Sequence, residues 1–200
     1  VYEKPWTGFG DQKNNSLDAA TCPWILCLDC DEVVTPELAA EILNFVQSDP
    51  SGYAGAMFPR KVWFLGRWIT HGDWYPDHSL RLIRKGKGRW SPDIIHEKML
   101  LDGKAKLLRA DLEHYSNPDL NSHLSKIVPF TDSFVEQKRH KPWRLLDVLF
   151  RPWWRFFRAY VLKRGFLDGF PGFYIAAFTA FSTFYRYARL YEDKQTQETS

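Results

Sequence analysis

An α/β core that gives way to a helical, amphipathic C-terminal extension is the architecture this sequence predicts. Three observations predict it. A short apolar run stops abruptly at a group of acids, further strand-like runs follow as far as residue 112, and helical patterning fills most of the chain after Asp119. The boundary is placed at 117/118, with 1–117 as the α/β part and 118–200 as the extension. No internal repeat is present.

Residues 1–23 read as the end of a loop and a short helix, with Asn14 and Asn15 near its start. Trp24-Ile25-Leu26-Cys27-Leu28 is continuously apolar, the pattern of a strand buried on both faces of a mostly parallel sheet. Thr35-Pro36-Glu37 reads as a helix start, with Thr as N-cap, Pro at the first helical position and an acid in the first turn. Leu38, Ile42, Leu43 and Val46 continue at helical spacing until Asp49-Pro50-Ser51-Gly52 ends the element. Ala54–Phe58, Val62–Leu65, Ser79–Ile83 and Lys106–Leu112 read as strands, with a turn at Arg84-Lys85-Gly86-Lys87-Gly88.

The 200 residues suit one domain or a domain with an appended helical region, and a hydrophobic fraction of 44% argues against disorder. A formal net charge of +3 is too small to imply nucleic-acid binding. Three Cys (Cys22, Cys27, Cys30) are too few and too clustered for a disulfide framework, which points to a reducing compartment. Cys27-Leu28-Asp29-Cys30 has C-x-x-C spacing, but its first Cys lies in the predicted strand and no second pair completes a zinc site.

Asp29 and Asp31 stand just past the predicted strand, where open α/β sheets bind ligands. Two carboxylates at that spacing can face one small volume and hold a divalent cation with positions left open for a diphosphate. Such a cation neutralises charge on a leaving phosphate. The plain alternative is an acidic loop leading into the Thr35 helix, with Glu32 favouring the helix dipole.

The run Trp24 to Glu32 resembles the hydrophobic strand and acidic motif of family 2 glycosyltransferases with the GT-A fold. Upstream, Trp6 to Asn14 is similar to a stretch found in the subgroup of β-glucosyltransferases acting on lipopolysaccharide core. Phe64 to Trp68, Gly72 to Asp77, Leu80 to Leu82, His96-Glu97, His114-Tyr115-Ser116 and Lys163 to Gly169 follow in that subgroup's order. The resemblance implies a GT-A, Rossmann-like mixed sheet that is only partly present. The family's first strands, with their early nucleotide-binding Asp, have no counterpart in residues 1–23. This chain alone is therefore expected to bind nucleotide sugar weakly or not at all.

The resemblance also implies roles. Asp31 is the expected principal ligand of a Mg or Mn ion, and Asp29 shares the metal or contacts the donor ribose. Lys13 and Arg81 are expected at the donor. Inverting transfer needs a base to take the acceptor hydroxyl proton; Glu97 is the first candidate, beside His96, and Asp77 the second. His114 is read as structural, with contact to metal or diphosphate the lesser reading. The expected donor is a UDP-sugar, with glucose as the sugar. The expected acceptor is a lipopolysaccharide inner-core or other lipid-linked saccharide, a polyprenyl phosphate or capsule precursor being the alternative within enzymes. A catalytically silent remnant is the alternative outside them. The expected location is the cytoplasmic face of the inner membrane, peripherally bound.

Between Gln137 and Arg164 the only acid is Asp147, against nine Lys and Arg. On a helical wheel Arg144, Arg151, Arg155 and Arg158 share a meridian opposite Phe150, Trp153, Phe157 and Tyr160, although Pro152 threatens the register. This pattern fits a helix lying on an anionic membrane surface. Nucleic acid is the weaker competitor, because the rings share a face instead of alternating with the charges; packing of the rings on the rest of the protein is the third reading. Phe170–Tyr187 is the most apolar stretch but falls short of the ~20 apolar residues of a span, so it reads as an interfacial helix, with a frayed polar tail from Glu192.

Overall fold

The computed structural model describes residues 3–91, 98–116 and 119–199. The chain forms two compact units. The first comprises Val1–Arg60 and Asp77–His114, and the second Lys61–Pro76 and Tyr115–Ser200.

The first unit contains helices α1 (Phe9–Ala19) and α2 (Pro36–Gln47) and strands β1 (Trp24–Leu26), β2 (Glu32–Val34), β3 (Gly55–Phe64), β5 (Asp77–Arg84), β8 (Ala105–Leu107) and β9 (Leu112–His114). Strand order is β1-β5-β3-β9-β2, with β8 also on β3. β1–β5, β3–β5 and β2–β9 are antiparallel, and β3–β8 is parallel. A separate antiparallel pair is formed by β6 (Gly88–Trp90) and β7 (Met99–Leu101).

The sheet is thus mixed and mainly antiparallel, whereas the Trp24 run suggested a parallel one. β1 ends the strand order and is only half-buried, so a continuous apolar run did not report burial on two faces. Successive side chains of β5 point to opposite faces. Leu82 meets Leu38 and Ile42 of α2, with Ala56, Phe58, Leu108 and Leu112. Ile83 meets Leu17 of α1 and Trp90. The helices therefore cover opposite faces. Leu38 is fully buried, which contributes about 2 kcal/mol.

The α2 start is as predicted: the Thr35 hydroxyl accepts from the Leu38 N–H at 3.1 Å and donates to the Asp111 carbonyl at 3.0 Å. The predicted strand at Lys106–Leu112 is instead two, β8 and β9. Between them, Glu41 of α2 accepts from the backbone N–H groups of Arg109 (3.0 Å) and Ala110 (2.9 Å), so these donors are withdrawn from the ladder. The two runs at Ala54–Phe58 and Val62–Leu65 are one strand, β3.

In the second unit the end of β3 pairs with β4 (Arg67–Ile69). The two-residue loop Leu65-Gly66 has positive φ at both positions (47° and 82°), the geometry that matches strand twist in a hairpin. Helices α3 (Leu120–Leu124), α4 (Ile127–Lys138), α5 (Leu145–Phe157) and α6 (Gly169–Thr199) complete the unit. Phe64, Ile69 and Ile175 form its core with Trp74 and Tyr174.

Asp168, fully buried, holds the turn after β4. It accepts from the N–H groups of Thr70 (3.0 Å) and His71 (2.8 Å), from the Thr70 hydroxyl (3.1 Å) and from Arg67 (3.3 Å). Two motifs of the sequence resemblance, Phe64–Trp68 and Lys163–Gly169, meet here as a structural joint. Gly172 permits the close approach of α6, since a Cβ there would overlap the Gly165 carbonyl oxygen.

Three expectations for the extension need correction. Pro152 lies within α5 without ending it. Arg144 precedes α5 as its N-cap and so leaves the basic meridian, while Arg158 binds Asp73 at 2.7 Å. The stretch from Phe170 and the tail from Glu192 are one 31-residue helix, α6, carrying the buried Ile175, Ala176 and Leu190. Among the described residues, no helix is long and apolar enough to cross a membrane.

Candidate functional site

The acidic segment turns between β1 and β2. Pairing of β1 with β5 is prolonged by Cys27 N–H donating to the Arg81 carbonyl at 2.8 Å, which brings the Arg81 side chain to the segment. The Glu32 N–H donates to the Asp29 carbonyl (3.1 Å), closing the turn.

Glu32 organises it. Its carboxylate is inaccessible to solvent and accepts from the Asp29 N–H (3.1 Å), Arg60 Nη1 (3.0 Å) and Arg81 Nη2 (2.5 Å). The plain alternative, with Glu32 favouring the dipole of the Thr35 helix, thus gives way to a carboxylate held by two guanidinium groups. A buried carboxylate needs such partners, because its desolvation is otherwise uncompensated.

Asp29 gives one oxygen to Arg81 Nη2 (2.5 Å) and the other to Lys13 Nζ (2.9 Å). Burial opposes its ionisation, but Lys13 and Arg81 outweigh that and hold its carboxyl below the usual carboxylate range. Lys13 also lies over the Trp90 ring at 4.4 Å. Its neighbour Asn14 fixes that Trp by donating to the Trp90 carbonyl (3.0 Å) and accepting from the Trp90 N–H (2.9 Å).

Asp31 has different company. Its Oδ2 lies 3.2 Å from His114 Nε2, and its side chain is 38% exposed. The β2–β9 register places Glu32 opposite His114, which sets His114 beside Asp31. Burial, with Arg60 nearby, holds the His114 imidazole below its ordinary value, so it is neutral at physiological pH. Its Nδ1 is buried and has no hydrogen-bond partner among the described residues.

Asp77 is clamped by Arg60 through Nε (3.0 Å) and Nη2 (2.7 Å), so Arg60 bridges Asp77 and Glu32. Glu97 and His96 lie outside the described residues. A cleft of about 440 Å³ is lined by Lys13, Asp29, Arg60, Arg81, Trp90 and Lys98, among others. Its cations suit a diphosphate and its Trp edge suits a ring.

Lys13, Asp29, Arg81 and Asp77 are therefore gathered around one cleft and its wall, while Asp31 is set on His114. Among the described residues the two Asp carboxylates do not share a partner. Among the described residues no group of three or more His, Cys, Asp or Glu side chains is arranged to hold a metal ion. Sequence reasoning missed Arg60 and Trp90. Neither carried a motif, although Trp90 beside the Gly86-Lys87-Gly88 turn was a visible aromatic.

Residues 1–106 match the family described as "Glycosyl transferase family 2". The chain is also similar to a lipopolysaccharide core biosynthesis glycosyltransferase, LpsC, of Rhizobium meliloti, at 26% identity over 196 residues covering 96% of this chain and 72% of the relative. An uncharacterized glycosyltransferase of Rickettsia typhi is 26% identical over 207 residues, covering 96% of this chain and 70% of the relative. One of Rickettsia felis is 27% identical over 213 residues, covering 96% and 72%.

Proposed function

This chain belongs to glycosyl transferase family 2, and we propose that it carries the acceptor-side and metal-binding residues of an inverting transfer from a UDP-sugar to a saccharide of lipopolysaccharide core. The family makes it a glycosyltransferase. The name of the Rhizobium relative supports the class of acceptor. Glucose as the sugar and a lipid-linked inner-core acceptor rest on the motif resemblance.

The observation that carries the reading is the pairing of Asp31 with His114 at the rim of β2 and β9. Members of the family often use a divalent cation, and Asp31 and His114 offer two adjoining donors for one. An accessible carboxylate and a neutral imidazole nitrogen converge to 3.2 Å; the carboxylate suits Mn or Mg, and the imidazole favours Mn over Mg. Asp31 and His114 would hold the ion, leaving positions for a diphosphate. When bound, it supplies charge neutralisation at the leaving group.

Asp29 is assigned to positioning in place of direct ligation, because both of its oxygens are already engaged by cations. Lys13, which lines the cleft, is proposed to meet a donor phosphate, and Arg81 to hold the acidic turn in shape from beneath. Glu97 remains the proposed base. Asp77 is proposed to orient Arg60, whose Nε and Nη2 both donate to its Oδ2.

The location proposed is an anionic membrane surface on the cytoplasmic side. Support comes from α5, whose Leu146, Phe150 and Trp153 are exposed, Trp153 by 76%. A product assay of the full-length protein with a panel of activated sugars, in Mn or in chelator, tests the reading. Metal-dependent transfer from a UDP-sugar to a core saccharide is expected. Equal turnover in chelator would remove the cation, and no transfer to any saccharide would remove the function.

A further inference from the structure

A second cationic cleft lies within the helical unit. Arg151 and Arg155 of α5, Arg158 just after it and Arg186 of α6 line a cleft of about 290 Å³ with Phe134 and Tyr187. The three- and four-residue spacing of the first three sets them on one side of the helix. The Arg151 guanidinium lies over the Tyr187 ring at 5.5 Å, and that of Arg186 over Phe134 at 5.8 Å. Stacking fixes the planes of these forks before any ligand arrives.

The cleft is short of negative charge. Asp73 serves three cations, Arg158 (2.7 Å), Lys163 (3.1 Å) and Arg155 (3.7 Å), and Asp147 serves Arg151 (2.6 Å). Among the described residues no carboxylate pairs with Arg186. The Nε atoms of Arg158 and Arg186 are buried and lack a hydrogen-bond partner among the described residues. Burial and the neighbouring Arg155 push Arg186 below its ordinary value, yet a guanidinium stays charged in proteins. Like charges held together with donors unmet are costly unless an anion joins them.

We propose that this cleft binds a phosphate group, borne by a membrane lipid headgroup or by a soluble saccharide. A tetrahedral phosphate offers several acceptors to planar donor forks and the charge that the cluster lacks. The volume suits a headgroup or sugar phosphate better than a whole nucleotide sugar. This site does not depend on the transferase reading, because it lies wholly in the helical unit and its test measures binding, not turnover.

The test is isothermal titration of the full chain with inorganic phosphate at constant ionic strength. Saturable one-to-one binding is expected, weakened at least about tenfold by Arg186→Gln and by Arg155→Gln. Arg155 is 40% exposed, so a change there need not disturb folding. Thermal melts unchanged from wild type accompany that result. Short-chain phosphatidylglycerol and glucose 1-phosphate then compete against phosphate; preference for either names the carrier. No saturable phosphate binding, or binding indifferent to both substitutions in folded protein, overturns the proposal.

Discussion

His114 Nε2 lies 3.2 Å from Asp31 Oδ2, although 82 residues separate them in the chain. The β2–β9 pairing creates this contact by setting Glu32 across from His114. A strand register thus delivers an imidazole to the acidic turn. The same turn depends on Glu32 beneath it, and its shape on what Glu32 binds.

Glu32→Gln tests that dependence. The change leaves Arg81 and Arg60 facing a neutral amide in a buried place and removes one of the two carboxylates each of them holds. A loss of about 3 kcal/mol of unfolding free energy is expected from breaking a buried pair on one side. Urea denaturation measures it; a midpoint unchanged from wild type would show that the turn is held by other contacts.

His123 should make stability depend on pH. It is buried among Phe64, Trp74, Tyr174 and Phe178, with ring centroids 3.9–5.7 Å away. Burial, aided by Lys126, lowers it to about 4. The unfolded imidazole titrates near 6.5, so between about 6.5 and 4 the unfolded state holds the extra proton. Stability is full above that window and falls through it as the pH drops, by about 3 kcal/mol at most. His123→Phe should flatten this part of the profile in melts from pH 7 to 4. An undiminished slope would place the sensitivity elsewhere.

The exposed rings of α5 should set membrane affinity. Phe150 and Trp153 are 65% and 76% exposed. Replacing both with Ser is expected to reduce binding to vesicles containing phosphatidylglycerol by about tenfold or more. Co-sedimentation at matched ionic strength measures this, and equal sedimentation of the double variant would remove the interfacial role of α5.

Much of this was legible in the sequence where the cause is local. The Thr35 cap and its helix needed only neighbouring residues, and the acidic turn announced itself by ending an apolar run. Sheet direction was not legible, because β1 has three residues and takes its pairing from β5, some 55 residues on. The split of the predicted Lys106–Leu112 strand depends on Glu41 reaching two backbone donors from α2. Burial of Glu32 escaped detection because β2, also three residues long, has no periodicity to read. Asp73 and Asp168 sit in stretches that resembled a functional set, yet here they tie helices and turns together.

The most direct measurement is turnover by Asp31→Asn in the full-length protein, with UDP-sugar donor and Mn. Substitution removes a charged ligand while keeping the side chain's shape, so a fall on the order of 10³-fold is expected with an unchanged melting temperature. Wild-type turnover in the folded variant would contradict the assignment of the cation to Asp31 and His114.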